Sequence, residues 1–362
     1  MKKRSSRFWL IALFCVGLAV LAIPLAVAVA QSGPAAPCPP NCMVSFDMPS
    51  IFEPASFEAA RIDELNRFIL IIAGIIFVLV EGLLFFAVFR FRNRPPEAAM
   101  QVHGNTKLEI AWTAAPAVIL AVLMGFTLQT MGAVREVTSE NVLHVKAIGH
   151  RWFWEFQYPE LNITTANELV VPVNTVIEVS IESVDVVHGF WAPELFGKVD
   201  AVPGYTNRLR FTPDTVRNDF FGGQCTQFCG EQHAQMRFAV AVKTAADFQT
   251  WAATFQQPSA PAETLTGSAA AGRELFLTGT SQCLACHAVA GTTAAGVTGP
   301  NLTHLASRSF IAGGILARTD DNLRAWIANA PGIKSGTVMP RFADTFTPQQ
   351  IDDLVAYLAT LK

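Results

Sequence analysis

GGQCTQFCGEQHAQM, residues 222–236, places Cys225, Cys229, His233 and Met236 within twelve positions. Zinc accounts for two thiolates and an imidazole. A single blue copper accounts for one thiolate, an imidazole and a thioether. Neither uses all four groups. One more imidazole, His188 in DVVHGF, lies 37 residues upstream of Cys225. Thiolate, imidazole and thioether are soft to borderline donors that select copper over magnesium or calcium. Around these residues the chain runs in short β-branched or aromatic segments: LHVKAIGHRWFWEFQY, NELVVPVNTVIEVSIES, VVHGFWAP, YTNRLRFTP and MRFAVAVKT, broken by Pro, Gly and Asn. That pattern predicts an all-β sandwich or barrel of roughly 110 residues.

Upstream of this region the sequence turns apolar. Of 362 residues 51% are hydrophobic, and the formal charge of −3 gives no basic surface for nucleic acid. MKKRSSRFWLIALFCVGLAVLAIPLAVAVAQ has a basic start, an apolar run and Ala28-Val29-Ala30, as a cleaved secretory signal does. Phe68 to Phe89 carries one charge, Glu81, and Ile110 to Met131 carries none. Each is long enough to cross a hydrocarbon core of ~30 Å at ~1.5 Å per residue. The loop between them holds Arg90, Arg92, Arg94 and Lys107, whereas the segment before the first span is acidic. The positive-inside rule makes that loop cytoplasmic and both flanks external. An external setting lets the paired cysteines, Cys38 with Cys42 among them, serve as disulfides, metal ligands or cofactor attachments.

Downstream, QQPSAPAETLTGSAAAG is poor in large apolar residues and reads as a linker. The last 90 residues or so show helical patterns, DDNLRAWIANA and TPQQIDDLVAYLATL, the second with Thr347 as its expected N-cap. Cys283-Leu-Ala-Cys286-His287 is the signature of covalent c-type haem, with both thiols attached to the porphyrin and His287 on the iron. Met339, in GTVMPRF, is the expected opposite ligand, since a thioether raises the haem potential and suits an electron carrier. The rival is His304, whose closeness to His287 in the chain favours a surface or haem-edge position.

These motifs resemble known families. The last segment is similar to a class I cytochrome c, in which the loop matching GPNL, residues 299–302, uses its proline carbonyl, here Pro300, to accept a hydrogen bond from the proximal histidine. The β region resembles a cupredoxin, and CTQFCGEQHAQM with His188 resembles the binuclear copper A site of haem–copper oxidase subunit II, with a fused cytochrome c as in bacterial caa-type oxidases. The resemblance implies a multidomain chain: a two-helix transmembrane hairpin, an all-β cupredoxin domain and an all-α class I cytochrome c domain. The boundaries expected are 1–30 for the signal, 31–62 for an external segment, 63–135 for the hairpin, 136–255 for the copper A domain, 256–271 for the linker and 272–362 for the cytochrome domain. It implies that Cys225 and Cys229 bridge two copper ions, that His188 and His233 are terminal imidazoles, that Met236 is a weak ligand and that the backbone carbonyl of Gln227 is the last. Many relatives carry glutamate at the position of Gln227, where the carboxylate reaches a magnesium ion. An amide lacks the charge that a hard dication favours, which puts magnesium in doubt.

The resemblance also implies electron input at Trp152, in GHRWFWEFQY, although a core strand packs its aromatics in the same pattern. Glu109 matches the acid at the mouth of a proton pathway. The other reading is a carboxylate stabilised at a helix N-terminus. Glu81 and the Cys38–Cys42 pair receive no role. The function implied is the electron-input subunit of a respiratory oxidase: haem c takes electrons from an external donor, a cytochrome c or an upstream complex, and passes them to copper A. Subunit I then reduces oxygen to water, coupled to proton movement. Partners would be subunit I, other oxidase subunits and the lipid bilayer of a bacterial inner membrane, with the copper and haem domains on the periplasmic side. The alternatives are the matching subunit of a copper A nitric oxide reductase and a copper-handling assembly protein. A quinol oxidase subunit would lack Cys225 and Cys229.

Overall fold

Two long helices lead into a two-sheet sandwich and then a helical unit. The computed structural model describes residues 50–93, 103–135, 141–258, 264–278 and 282–362. The expected signal peptide, Cys38 and Cys42 lie outside the described residues. Helix α1 spans Phe57–Phe91 and α2 spans Thr106–Arg135, each longer than the apolar core it contains. Phe68, near the start of α1, meets Phe126, near the end of α2, at 4.9 Å between ring centroids, so the two run antiparallel. Their apolar stretches are exposed, as lipid-facing segments are. Pro116 sits inside α2 without ending it. Ser56 caps α1 by accepting the Ala59 N–H at 3.0 Å. Glu58 accepts the Thr212 N–H at 2.7 Å and so ties the head of α1 to the sandwich.

The sandwich has ten strands: β1 Val142–His150, β2 Phe153–Tyr158, β3 Ile163–Ala166, β4 Glu168–Pro172, β5 Val176–Ser183, β6 His188–Trp191, β7 Val199–Ala201, β8 Asn207–Phe211, β9 Phe221–Cys225 and β10 Arg237–Lys243. One sheet runs β3-β2-β1-β5-β8 and the other β4-β10-β9-β6-β7. The stretch read as a single aromatic segment is two strands that turn at Arg151-Trp152. Trp154 and Phe156 therefore point into the core, while Trp152 falls in the turn and is only half-buried. Between the sheets Phe190 and Phe238 stack at 4.5 Å, and Trp154 meets Phe190 edge-on at 5.0 Å. This aromatic layer forms the floor beneath the metal-ligand loops. Helix α3, Ala245–Phe255, closes the end of the sandwich, with Thr244 capping it through the Asp247 N–H.

The second unit holds α4 Gly267–Leu277, a short turn α5 Cys283–Cys286, a hairpin of β11 Phe310–Ile311 and β12 Leu316–Ala317, α6 Asp320–Ile333 and α7 Pro348–Leu358. Helix α4 begins inside the stretch expected as linker, because Ala269, Ala270 and Ala271 are strong helix formers and the helix docks on α7. Phe276 of α4 meets Tyr357 of α7 at 5.6 Å. Thr347 caps α7 in a reciprocal box with Gln350, and Ile351, Leu354, Val355 and Leu358 are buried beneath it.

Candidate functional site

The copper-type ligands sit on one rim of the sandwich. His188 is the first residue of β6 and Cys225 the last of β9. The loop from Thr226 returns through a tight turn at His233–Gln235 to Met236, just before β10. The Cys225 N–H donates to Met236 O at 3.0 Å, which pins the two ends of the loop together. Cys225 Sγ stands 3.7 Å from Cys229 Sγ and 3.9 Å from His188 Nδ1. Cys229 Sγ stands 3.7 Å from His233 Nδ1 and 3.9 Å from Met236 Sδ. The Gln227 carbonyl lies 3.2 Å from Cys225 Sγ, while the residue itself is exposed. Thus all six residues singled out in the sequence converge.

The chemistry of this donor set fits a soft cation. Two thiols at 3.7 Å cannot both ionise in a buried site without a cation between or beside them. The Cys229 thiol hydrogen-bonds the Cys225 sulfur and lowers it, and the resulting thiolate raises Cys229, so without metal the pair shares one proton. Asp185, which sequence reading passed over, orients His188. Its Oδ1 lies 2.8 Å from His188 Nε2 and accepts the Val186 N–H at 2.6 Å, and its Oδ2 accepts the Arg151 N–H at 2.7 Å. Burial pushes Asp185 up, but the bonds from His188, Val186 and Arg151 outweigh it and hold the carboxyl at about 2. A carboxylate at Nε2 fixes the proton there and leaves Nδ1 to face the sulfurs. The carboxylate three residues before His188 was the signal in the sequence.

Trp152 lies beside this rim, and its indole Nε1–H donates to the Cys229 carbonyl at 3.0 Å. The same residue also lines a cavity of about 260 Å³ in the helical unit. Cys283, Cys286, His287 and Met339 line that cavity with Leu302, Ile311 and other apolar side chains. His287 Nδ1 donates to Pro300 O at 2.8 Å, leaving Nε2 as the ring's remaining ligand atom. Two thiols, one imidazole and one thioether on an apolar cavity fit a c-type haem. His304 is elsewhere: it is buried rather than at the surface or haem edge, donates from Nδ1 to Lys362 O at 2.8 Å and packs on Phe255 at 4.5 Å. Its place is set by packing against α3 and the C-terminus, which sequence separation from His287 does not reveal.

Glu109 lies in the first turn of α2, where its Oε1 accepts the Asn105 N–H at 3.1 Å while Asn105 Oδ1 accepts the Leu108 N–H at 3.3 Å. Glu81 is half-buried within the otherwise exposed apolar run of α1.

Three family models match in the order the elements occur. Residues 47–130 match the transmembrane domain of cytochrome c oxidase subunit II, residues 161–243 its periplasmic domain, and residues 269–362 cytochrome c. Cytochrome c oxidase subunit 2 of Alkalihalophilus pseudofirmus is 34% identical over 301 residues, covering 81% of this chain and 85% of that protein. The chain belongs to the cytochrome c oxidase subunit II family. The Bacillus subtilis subunit 2 is 32% identical over 77% of this chain and 82% of its own length. The periplasmic domain of subunit II of the Bradyrhizobium japonicum cytochrome oxidase is 32% identical over 33% of this chain and 97% of that chain, with a TM-score of 0.31. As an oxidase subunit II, the chain is a membrane-anchored electron-transport subunit of an oxidoreductase, with a cupredoxin domain and a fused cytochrome c domain. The fused arrangement is the caa-type one expected from the sequence, and the copper-handling alternative falls away.

Proposed function

We propose that this chain is the electron-input arm of the oxidase: the cytochrome domain receives electrons from an external donor, and the copper domain hands them to a catalytic subunit I that reduces oxygen to water with proton movement. The observation that carries this reading is the position of Trp152, whose ring donates to the Cys229 carbonyl and which also lines the haem-type cavity. When bound, a binuclear copper A centre and one covalent haem c supply the one-electron exchange. Cys225 and Cys229 would hold the coppers through their thiolates, His188 and His233 through their imidazoles, Met236 through its thioether and Gln227 through its backbone carbonyl. Cys283 and Cys286 would hold the haem, Pro300 would orient His287, and Met339 would complete the iron.

The residues of the chain do the positioning. Asp185 sets the His188 tautomer. The antiparallel β9–β10 pairing joins the two strands that flank the ligand loop and so sets its width. Glu109 closes a local cap on α2, which favours the helix-end role over a proton-pathway role. The exposed amide of Gln227 offers no carboxylate for magnesium. The hairpin anchors the chain in the bacterial inner membrane, with the boundaries given above apart from the earlier starts of α1, at Phe57, and of α4, at Gly267. Both cofactor domains would face the periplasm.

Rapid mixing of the assembled oxidase with a reduced small cytochrome tests the order. The haem c band should change first and the near-infrared copper band should follow. Copper reduction that precedes haem reduction, or an unresponsive haem, contradicts the reading.

A further inference from the structure

Lys334 is 3% exposed and lies just after α6, in the loop that leads to Met339. Its ammonium touches three carbonyls: Trp152 O at 2.8 Å, Gln235 O at 3.1 Å and Ala312 O at 3.1 Å. The first two belong to the copper domain, the third to the cytochrome domain. Three acceptors match the three N–H donors that only the charged amine has. Burial pulls the amine down to about 7, and the neighbouring Cys229 sulfur opposes this. The three acceptors favour the charged form, because a neutral amine would leave one of the three carbonyls facing a lone pair.

Other polar contacts cross the same boundary. Gln232 Nε2 donates to Ser335 Oγ at 2.7 Å, and the Arg237 N–H donates to Gly313 O at 3.1 Å. Glu168 of β4 accepts the Ser309 N–H at 2.6 Å and the Phe310 N–H at 3.0 Å through one carboxylate oxygen. Buried hydrogen bonds of this kind fix one relative placement, since any slip leaves a desolvated group unpaired. The Trp152 ring sits between two glycines. A Cβ on Gly230 of the ligand loop would stand 3.1 Å from its Cζ2, and one on Gly336 would stand 2.7 Å from Glu231 Oε2 and 3.1 Å from the indole Cη2. Gly336 has φ +73°, lies three residues before Met339, and needs glycine both for its backbone and for this approach.

We propose that Lys334 is a positioning residue that clasps the Met339 loop onto Trp152, fixing the cytochrome domain in one docked pose and making Trp152 an internal conduit rather than a landing site for external donors. The inference rests on the relay reading and adds to it a locked geometry. Because the docked domain occupies the ring's edge at Gly336, donors deliver to the cytochrome domain, and the step from there to the copper domain depends on the clasp. Lys334 acts through the Trp152 backbone and touches neither cofactor pocket's ligands directly.

The test uses the full chain in the assembled oxidase, as wild type, Lys334→Met and Gly336→Ala. Lys334→Met keeps the stem and removes the three donors. Gly336→Ala keeps Lys334 and inserts a methyl group against the Glu231 carboxylate and the indole, which covers the case in which Lys334→Met fails to fold. Backbone hydrogen exchange at Ser309 and Phe310, whose N–H groups bond Glu168 across the boundary, reports docking without reference to activity. Transient reduction of the haem then gives the rate of transfer to the copper domain. In Lys334→Met we expect exchange at both amides to rise about tenfold or more and internal transfer to slow by a similar factor, with donor-to-haem transfer unchanged. Gly336→Ala should slow internal transfer while leaving donor-to-haem transfer as it was. The proposal is overturned if exchange and internal transfer in both variants match wild type while the haem and copper spectra are intact. A wild-type protein in which haem oxidation is never followed by copper reduction instead overturns the relay itself, with or without protected amides.

Discussion

Replacing Asp185 with asparagine tests whether the copper-type site is organised from outside its ligands. The carboxylate receives three short hydrogen bonds, from His188 Nε2 at 2.8 Å, the Val186 N–H at 2.6 Å and the Arg151 N–H at 2.7 Å, and a longer one from the Ser183 hydroxyl at 3.5 Å. An amide has one oxygen. If its NH2 takes the place of Oδ2, it faces the Arg151 N–H. If it takes the place of Oδ1, it faces the Val186 N–H and can only donate to His188 Nε2. That second arrangement draws the imidazole proton to Nδ1, the atom aimed at the Cys225 sulfur. Either way one donor meets another and the negative charge behind the imidazole is lost. Orienting partners of this kind are worth roughly 10- to 100-fold in metal affinity, or about 1.4 to 2.8 kcal/mol. Asp185→Asn should therefore bind copper about 10- to 100-fold more weakly, measured by competition with a chelator of known affinity, with the fold otherwise unchanged by circular dichroism. Affinity within about threefold of wild type, with the same optical spectrum, would show that His188 needs no partner and would refute the reasoning.

Three further outcomes follow from the same structure. Met339→Leu should abolish the near-infrared methionine-to-iron band and lower the haem potential, as potentiometric titration would show; a surviving band assigns the ligand elsewhere. Phe238→Ala removes a fully buried ring stacked on Phe190 at 4.5 Å and should cost about 3 to 5 kcal/mol, read as a lower denaturant midpoint for the copper domain. Burial raises the Glu168 carboxyl to about 7, despite the amides of Ser309 and Phe310 and the charge of Arg308. With the folded value above the ordinary 4.5, its contribution is fully present below pH 4.5 and is lost as pH rises through about 7, a change of ~3 kcal/mol at most. Glu168→Gln should flatten that part of the stability–pH curve, and an unchanged slope would mean another group titrates there.

Much of this site was legible because its ligands are local in the chain. Cys225, Cys229, His233 and Met236 fall within one loop, and CxxCH fixes a histidine beside its two thiols, so spacing alone carries the chemistry. Thr347 as a cap and the apolar stripe of α7 were legible for the same reason. What the sequence hid is nonlocal. The Trp152 indole bonds a residue 77 positions away, and the Lys334 amine bonds the Trp152 carbonyl 182 positions away. No periodicity encodes such contacts. Alternation also misleads at GHRWFWEFQY, because the turn at Arg151-Trp152 breaks the strand and separates Trp152 from the core-facing Trp154. The start of α4 was hidden by composition: Ala, Ser and Thr look like a linker until docking on α7 supplies the helix with a buried face.

The electron-input role proposed above requires that Cys225 and Cys229 hold two coppers that share one unpaired electron. Electron paramagnetic resonance of the oxidised, copper-loaded protein, with a metal count per chain, tests it most directly. One unpaired electron spread evenly over two copper nuclei gives a seven-line hyperfine pattern, with two coppers per haem c. A four-line pattern from a single copper, or zinc in the metal count, would contradict the account.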